Sequence, residues 1–166
     1  VDRGHTPRSV WLELSGAHYW DEACFIPAVS DRAAVERVVR RFLELQGDDL
    51  NEGLVFREFV PLAIVGVDPK SQLPLAAEIR SFWLDGEPIL SHRYWGKLTS
   101  FDAPLPFETL RPIARRIPSR FFTMDVAALE GGGFTIVELG DGQTAGLPAP
   151  ALAPEFFAQI ASSLGP

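Results

Sequence analysis

Asp125 and Glu138 are acidic residues set inside otherwise apolar stretches, among Phe121, Met124, Ile136 and Val137. An ionised group buried there costs several kcal/mol unless it is paired. Glu130-Gly131-Gly132-Gly133 lies between the two stretches and predicts a hairpin turn. With Gly131-Gly132 at its centre, Asp125 and Glu138 fall directly opposite each other on one face. Like charges so placed repel, and a divalent cation removes that cost. Carboxylate oxygens beside substrate phosphates suit Mg²⁺. Asp141, three residues beyond Glu138, is placed to add a third oxygen ligand from the loop. The structural alternative is a protonated carboxylate, or an irregular turn that keeps the pair apart. The mid-strand setting of both residues favours the metal.

A second hairpin is signalled by Asp85-Gly86. With that dipeptide central, Glu78 faces Arg93 and Arg80 faces Ser91, while two-residue alternation puts Glu78 and Arg80 on one face. A structural salt bridge accounts for Glu78 and Arg93. Arg80 is left without a cross-strand partner, which points to an anion such as a phosphate or carboxylate. On this reading Asp125→Asn slightly stabilises the ligand-free protein by relieving repulsion, and Arg80→Ala leaves its stability unchanged. Arg57 and Glu58 point to opposite faces of their strand, so one charge turns toward a core or cleft.

Other reactive types carry less. His18, Cys24 and His92 lack zinc-ligand spacing and read as satisfied surface or core residues. Gly131–Gly133 joins strands rather than opening a helix, so it is turn chemistry and not a phosphate loop. Phe82, Trp83, Tyr94 and Trp95 read as ordinary strand packing.

The elements that must position these residues follow from periodicity. Ser9–Leu14 reads as a strand. Ser30 is the expected N-cap of a helix carrying Val35, Val38, Val39, Phe42 and Leu43 at helical spacing and ending at Gly47. Leu54–Val60 reads as a buried strand and 67–74 as a loop. Ala76–Leu84 with Ile89–Trp95, and Arg120–Ala128 with Phe134–Leu139, are the two hairpins. Four prolines within 102–119 restrict any helix there to a short, broken one. Glu155–Leu164 is a terminal amphipathic helix, after an uncertain start over 1–29. The predicted class is α+β, mainly antiparallel sheet with flanking helices, in one domain over 1–166.

Composition bounds the function. The 166 residues carry a net charge of −7, against a long nucleic-acid footprint. Thirteen of the fifteen basic residues are Arg, and the lysines are Lys70 and Lys97 alone. A single cysteine excludes an internal disulfide and suits the cytoplasm, and no apolar run approaches the roughly 20 residues of a membrane helix.

The segments Gly53-Leu-Val-Phe-Arg-Glu-Phe-Val-Pro-Leu62, Glu78-Ile-Arg80-Ser-Phe-Trp-Leu-Asp-Gly86, Met124-Asp-Val-Ala127 and Phe134-Thr-Ile-Val-Glu-Leu-Gly-Asp-Gly-Gln143 resemble successive motifs of the ATP-grasp superfamily. They follow its order and spacing over about residues 18–148, and are similar to ATP-grasp domain proteins of bacteria and phages. The resemblance implies ATP clamped between two α+β subdomains, and ligation of a carboxylate to an amine through an acyl-phosphate. It implies that Glu58, Phe59 and Val60 read adenine through the backbone, that Arg80 meets the phosphates or acyl-phosphate, and that Asp125 and Glu138 hold Mg²⁺, with Asp141 beside them.

Three departures stand out. The family's closing Glu-x-Asn is Glu138-Leu139-Gly140 here. No lysine precedes Lys70, Leu14 and Ala17 occupying the stretch where one is expected. An N-terminal domain of the fold is not represented, which predicts an exposed apolar docking face or self-association. Two functions follow: an ATP-dependent ligase domain, or a catalytically inactive nucleotide- or partner-binding module of the same fold. An unrelated metal-dependent hydrolase using the same carboxylates is a distant third. Substrate carboxylate and amine are not indicated.

Overall fold

The computed structural model describes residues 10–13, 25–27, 31–49, 53–70, 72–96, 104–147 and 149–164. The readings at His18, Cys24, Ser30, Leu14, Ala17 and Lys97 lie outside the described residues. The chain divides into two compact units, Val1–Val60 and Pro61–Pro166.

In the first unit, β1 (Val10–Glu13) is flanked by β2 (Phe25–Ile26) and β3 (Val55–Glu58) in an antiparallel sheet of order β2-β1-β3. Helix α1 (Arg32–Gln46) starts at Asp31, whose carboxylate accepts the Ala34 N–H at 2.7 Å. Asp31 rather than Ser30 is therefore the cap. The helix stops at Gly47, whose φ of 51° lets its N–H reach the Leu43 carbonyl. Val35, Val38, Val39 and Phe42 pack with Ile26 and Leu54. Strand β3 is less buried than its apolar run predicts: Val55 and Phe56 are more than half exposed, and Arg57 is its half-buried member.

The second unit opens with a hairpin that sequence periodicity missed, β4 (Ile64–Val67) with β5 (Pro74–Ala76). Its strands are too short to show a period, and Pro74 disguises the second. The main sheet has the order β7-β6-β8-β9, from β6 (Glu78–Leu84), β7 (Glu87–Arg93), β8 (Phe121–Ala128) and β9 (Phe134–Asp141). One face carries Ile79, Trp83, Phe122, Met124 and Val126 against α2 (Phe107–Ala114), an eight-residue helix with Pro112 inside it. The other carries Phe82 and Leu90 against Phe156 and Ile160 of α3 (Ala153–Leu164). An α+β class with antiparallel sheet and flanking helices is what the structure has.

Both long hairpins contain a bulge that periodicity alone does not reveal. Asp85 and Gly86 take φ of 51° and 81°, the two left-handed residues of a type I′ turn. Trp83 pairs with Pro88, yet Phe82 pairs with Leu90, leaving Ile89 as an extra residue. The register beyond it slips by one. Arg80 therefore faces His92 rather than Ser91, and Arg93 faces Ile79, on the other face from Glu78.

In the second hairpin Leu129 and Gly133 close a three-residue loop, with Gly132 and Gly133 at φ of 90° and 86°. Val137 is then the extra residue between the Val126–Ile136 and Asp125–Glu138 pairs. The turn differs from the expected one and the bulge compensates, so Asp125 and Glu138 do stand opposite each other.

Under α2, Ser81 is completely buried, donating its hydroxyl to the Met124 carbonyl and accepting the Trp83 indole N–H, both at 2.8 Å. Ser81→Ala strands that indole donor and is expected to cost about 1–3 kcal/mol. Urea midpoints check this; an unchanged midpoint would mean the indole finds another acceptor.

Candidate functional site

Strand alternation brings Glu78, Arg80, Asp125 and Glu138 to one face of the four-stranded sheet, the face that α3 covers farther along. Arg80 and Asp125 are direct cross-strand partners on β6 and β8. The guanidinium grips the carboxylate in a two-pronged bond, Nε to Oδ1 at 2.9 Å and Nη2 to Oδ2 at 2.6 Å. Asp125 is 2% exposed and Arg80 14%. The arginine predicted to lack a partner thus has one on the neighbouring strand, not within its own hairpin. Its guanidinium carbon also lies 4.6 Å from the centre of the Tyr94 ring, and its remaining prong makes a long 3.4 Å contact with the Gly146 carbonyl.

Electrostatics show how crowded this face is. Burial first, then the charge of Asp125, pushes the Glu78 carboxyl up to about 8, with Glu138 adding to the effect and Arg80 opposing it. Hydrogen bonding to Asp125 holds the Arg80 guanidinium still more firmly protonated than usual. Tyr94 is raised chiefly by burial. Two carboxylates, Asp125 and Glu138, thus share this face with one guanidinium, and Glu78 beside them is pushed toward its neutral form.

Glu78 and Tyr94 are participants the sequence reading assigned elsewhere, Glu78 to a salt bridge with Arg93 and Tyr94 to packing. The signal for Glu78 was present in its alternation with Arg80. The bulge at Ile89 hid the rest.

The remaining predicted residues fall elsewhere. Asp141 pairs with Phe122, which puts it on the α2 face, away from Glu138; it is exposed, and its Oδ1 accepts the Gln143 N–H at 2.8 Å. Among the described residues, no group of three or more His, Cys, Asp or Glu side chains is close enough to form a ready-made metal cage. Glu58, Phe59 and Val60 belong to the first unit, where β3 is an edge strand and Phe59 packs edge-on against Phe25 at 5.1 Å. At Gly140, a Cβ would come within 2.7 Å of Thr123 Oγ1. The space an asparagine needs at that position is therefore filled by Thr123. A groove of about 510 Å³ between α2 and β9, lined by Leu110, Ile113, Val126, Phe134 and Ile136 among others, contains no charged side chain. It offers phosphates nothing and lies on the other face. No described helix is long and apolar enough to cross a membrane.

The raised Glu78 carboxyl has a direct consequence for stability. A carboxyl whose folded pKa exceeds its unfolded value of 4.5 favours folding fully below that value, and the benefit is lost as pH rises through about 8. Glu78→Gln is expected to flatten that decline and to be the more stable protein at about pH 9. Urea midpoints at several pH values, without metal, measure it. Parallel profiles for the two proteins would contradict the burial assigned to Glu78.

Comparison with known proteins adds a family. The model of an ATP-grasp domain, family 3 of its clade, matches residues 2–160. No curated protein matches. Among solved structures, the ATP-grasp ligase PsnB complexed with a phosphomimetic variant of its minimal precursor, Mg and ADP is similar at 14% identity and a TM-score of 0.45. The match covers 92% of this chain and 46% of that one. PsnB complexed with minimal precursor gives 12% identity and a TM-score of 0.43, covering 92% and 48%. This chain spans about half the length of the solved structures it matches.

Proposed function

The chain belongs to this ATP-grasp domain family, and on that premise we propose that it binds ATP with Mg²⁺, as a domain related to ATP-dependent carboxylate–amine ligases acting through an acyl-phosphate. One observation supports the reading: Asp125 and Glu138 stand opposite each other on one sheet face, two carboxylates beside a single guanidinium. That surplus charge fits a hard divalent cation, whose preferred ligands are carboxylate oxygens.

Asp125 and Glu138 would hold the ion, and Arg80 would meet the phosphates. Asp141 would serve the ion only after leaving its bond with Gln143, so the metal reading rests on the other two carboxylates. Glu58, at the end of an edge strand, and the following Phe59 and Val60 would offer adenine their backbone. Mg²⁺ when bound neutralises charge on a transferring phosphoryl group. The chain's own residues would anchor the ion, orient the phosphates and supply a guanidinium charge beside them.

The second reading, binding without turnover, is favoured by the lysines, which are Lys70 and Lys97 alone. Calorimetric titration with ATP, with and without Mg²⁺, tests the proposal. Binding that strengthens with Mg²⁺, with little hydrolysis by this chain alone, is expected. Nucleotide affinity indifferent to Mg²⁺ would reject the site.

A further inference from the structure

Arg80 and a metal ion need the same atoms. Both oxygens of Asp125 already accept from the guanidinium, at 2.9 and 2.6 Å. A metal ion bound there would sit against a fixed positive charge, with no water between the two to screen it. Mg²⁺ also demands near-octahedral ligand placement and gives up its waters reluctantly, so it competes poorly for an oxygen that is already gripped. Asp125 is the deeper partner and Arg80 the more exposed. The guanidinium is therefore the member of the pair that can leave.

Beyond Asp125 the guanidinium has one aromatic face and one long hydrogen bond. Its carbon lies over the Tyr94 ring, 4.6 Å from the centre, a cation–π contact, and the Gly146 carbonyl is 3.4 Å away; neither grips the two-pronged edge that Asp125 holds. A phosphate offers Arg80 the same two-pronged geometry that Asp125 does.

We propose that Arg80 guards the metal position: it occupies Asp125 until a nucleotide's phosphates draw it away, so Mg²⁺ enters together with the nucleotide rather than before it. This rests on the metal-and-nucleotide reading above. Metal and nucleotide then bind with positive coupling. By linkage, each raises the other's affinity by the same factor.

Mn²⁺ is the probe, followed by water-proton relaxation, which separates protein-bound metal from metal on free nucleotide. Wild-type protein should bind Mn²⁺ poorly alone and well with ADP. Arg80→Ala should bind Mn²⁺ without nucleotide at least about tenfold more tightly than wild type, and Mn²⁺ should raise its unfolding midpoint. Arg80→Lys keeps the charge but cannot cover both oxygens, so it should fall between the two, and it serves should the alanine variant fail to fold. Wild type binding Mn²⁺ alone as tightly as these variants would overturn the guard and leave the metal reading standing. Protein-bound Mn²⁺ absent from every form, ADP included, would overturn both.

Discussion

Arg80→Ala is expected to destabilise the ligand-free protein by about 3–5 kcal/mol, because it leaves the Asp125 carboxylate buried and unpaired. Asp125 is 2% exposed and both of its oxygens are held by that arginine. Water entering the space that Arg80 leaves restores only part of the charge compensation the guanidinium gives. Asp125→Asn should cost less, about 1–3 kcal/mol, since Arg80 keeps one acceptor and the nearby Glu138 carboxylate. Both outcomes depart from what the sequence alone suggests, namely slight stabilisation by Asp125→Asn and no change from Arg80→Ala. Denaturant midpoints without metal or nucleotide settle the matter. A midpoint for Arg80→Ala equal to wild type would mean that the pair contributes nothing to the fold.

The second large effect falls on binding. Glu138 stands opposite Asp125 but is only half-buried, and among the described residues no hydrogen bond holds its carboxylate as Arg80 holds Asp125. On the proposed metal reading, Glu138→Gln removes a metal ligand and relieves repulsion at once. It should leave stability unchanged or slightly raised, while lowering nucleotide affinity in Mg²⁺ by at least about tenfold, or ~1.4 kcal/mol. Affinity without Mg²⁺ should hold or improve, since a negative charge near the phosphates is gone. Calorimetry of the variant against wild type separates these two outcomes. An equal loss with and without Mg²⁺ would assign Glu138 to general electrostatics or packing instead.

Much of this was readable from residue order. The Asp85-Gly86 turn, the Asp125–Glu138 opposition, α1 and α3 all follow from local rules: left-handed turn residues, two-residue alternation, capping and helical period. What escaped was register. A bulge adds one residue to a strand without changing its apolar character, so nothing in the side-chain pattern marks Ile89 or Val137 as unpaired. The bulge at Ile89 alone moved Arg93 away from Glu78. Partnership between hairpins escaped too, because β6 pairs with β8 across an intervening helix and no local signal sets that register. Arg80 therefore looked unpaired, though Asp125 satisfies it from 45 residues away. The short β4–β5 hairpin was lost for a simpler reason: three or four residues carry too few positions to display a period.

A crystal structure of the protein with ADP and Mn²⁺ tests the central claim most directly, because anomalous scattering locates the metal without reference to its ligands. The account predicts a peak within about 2.0–2.4 Å of carboxylate oxygens from both Asp125 and Glu138, with the Arg80 guanidinium turned from Asp125 onto a phosphate. Bound nucleotide whose metal touches neither carboxylate, with Arg80 still gripping Asp125, would contradict it.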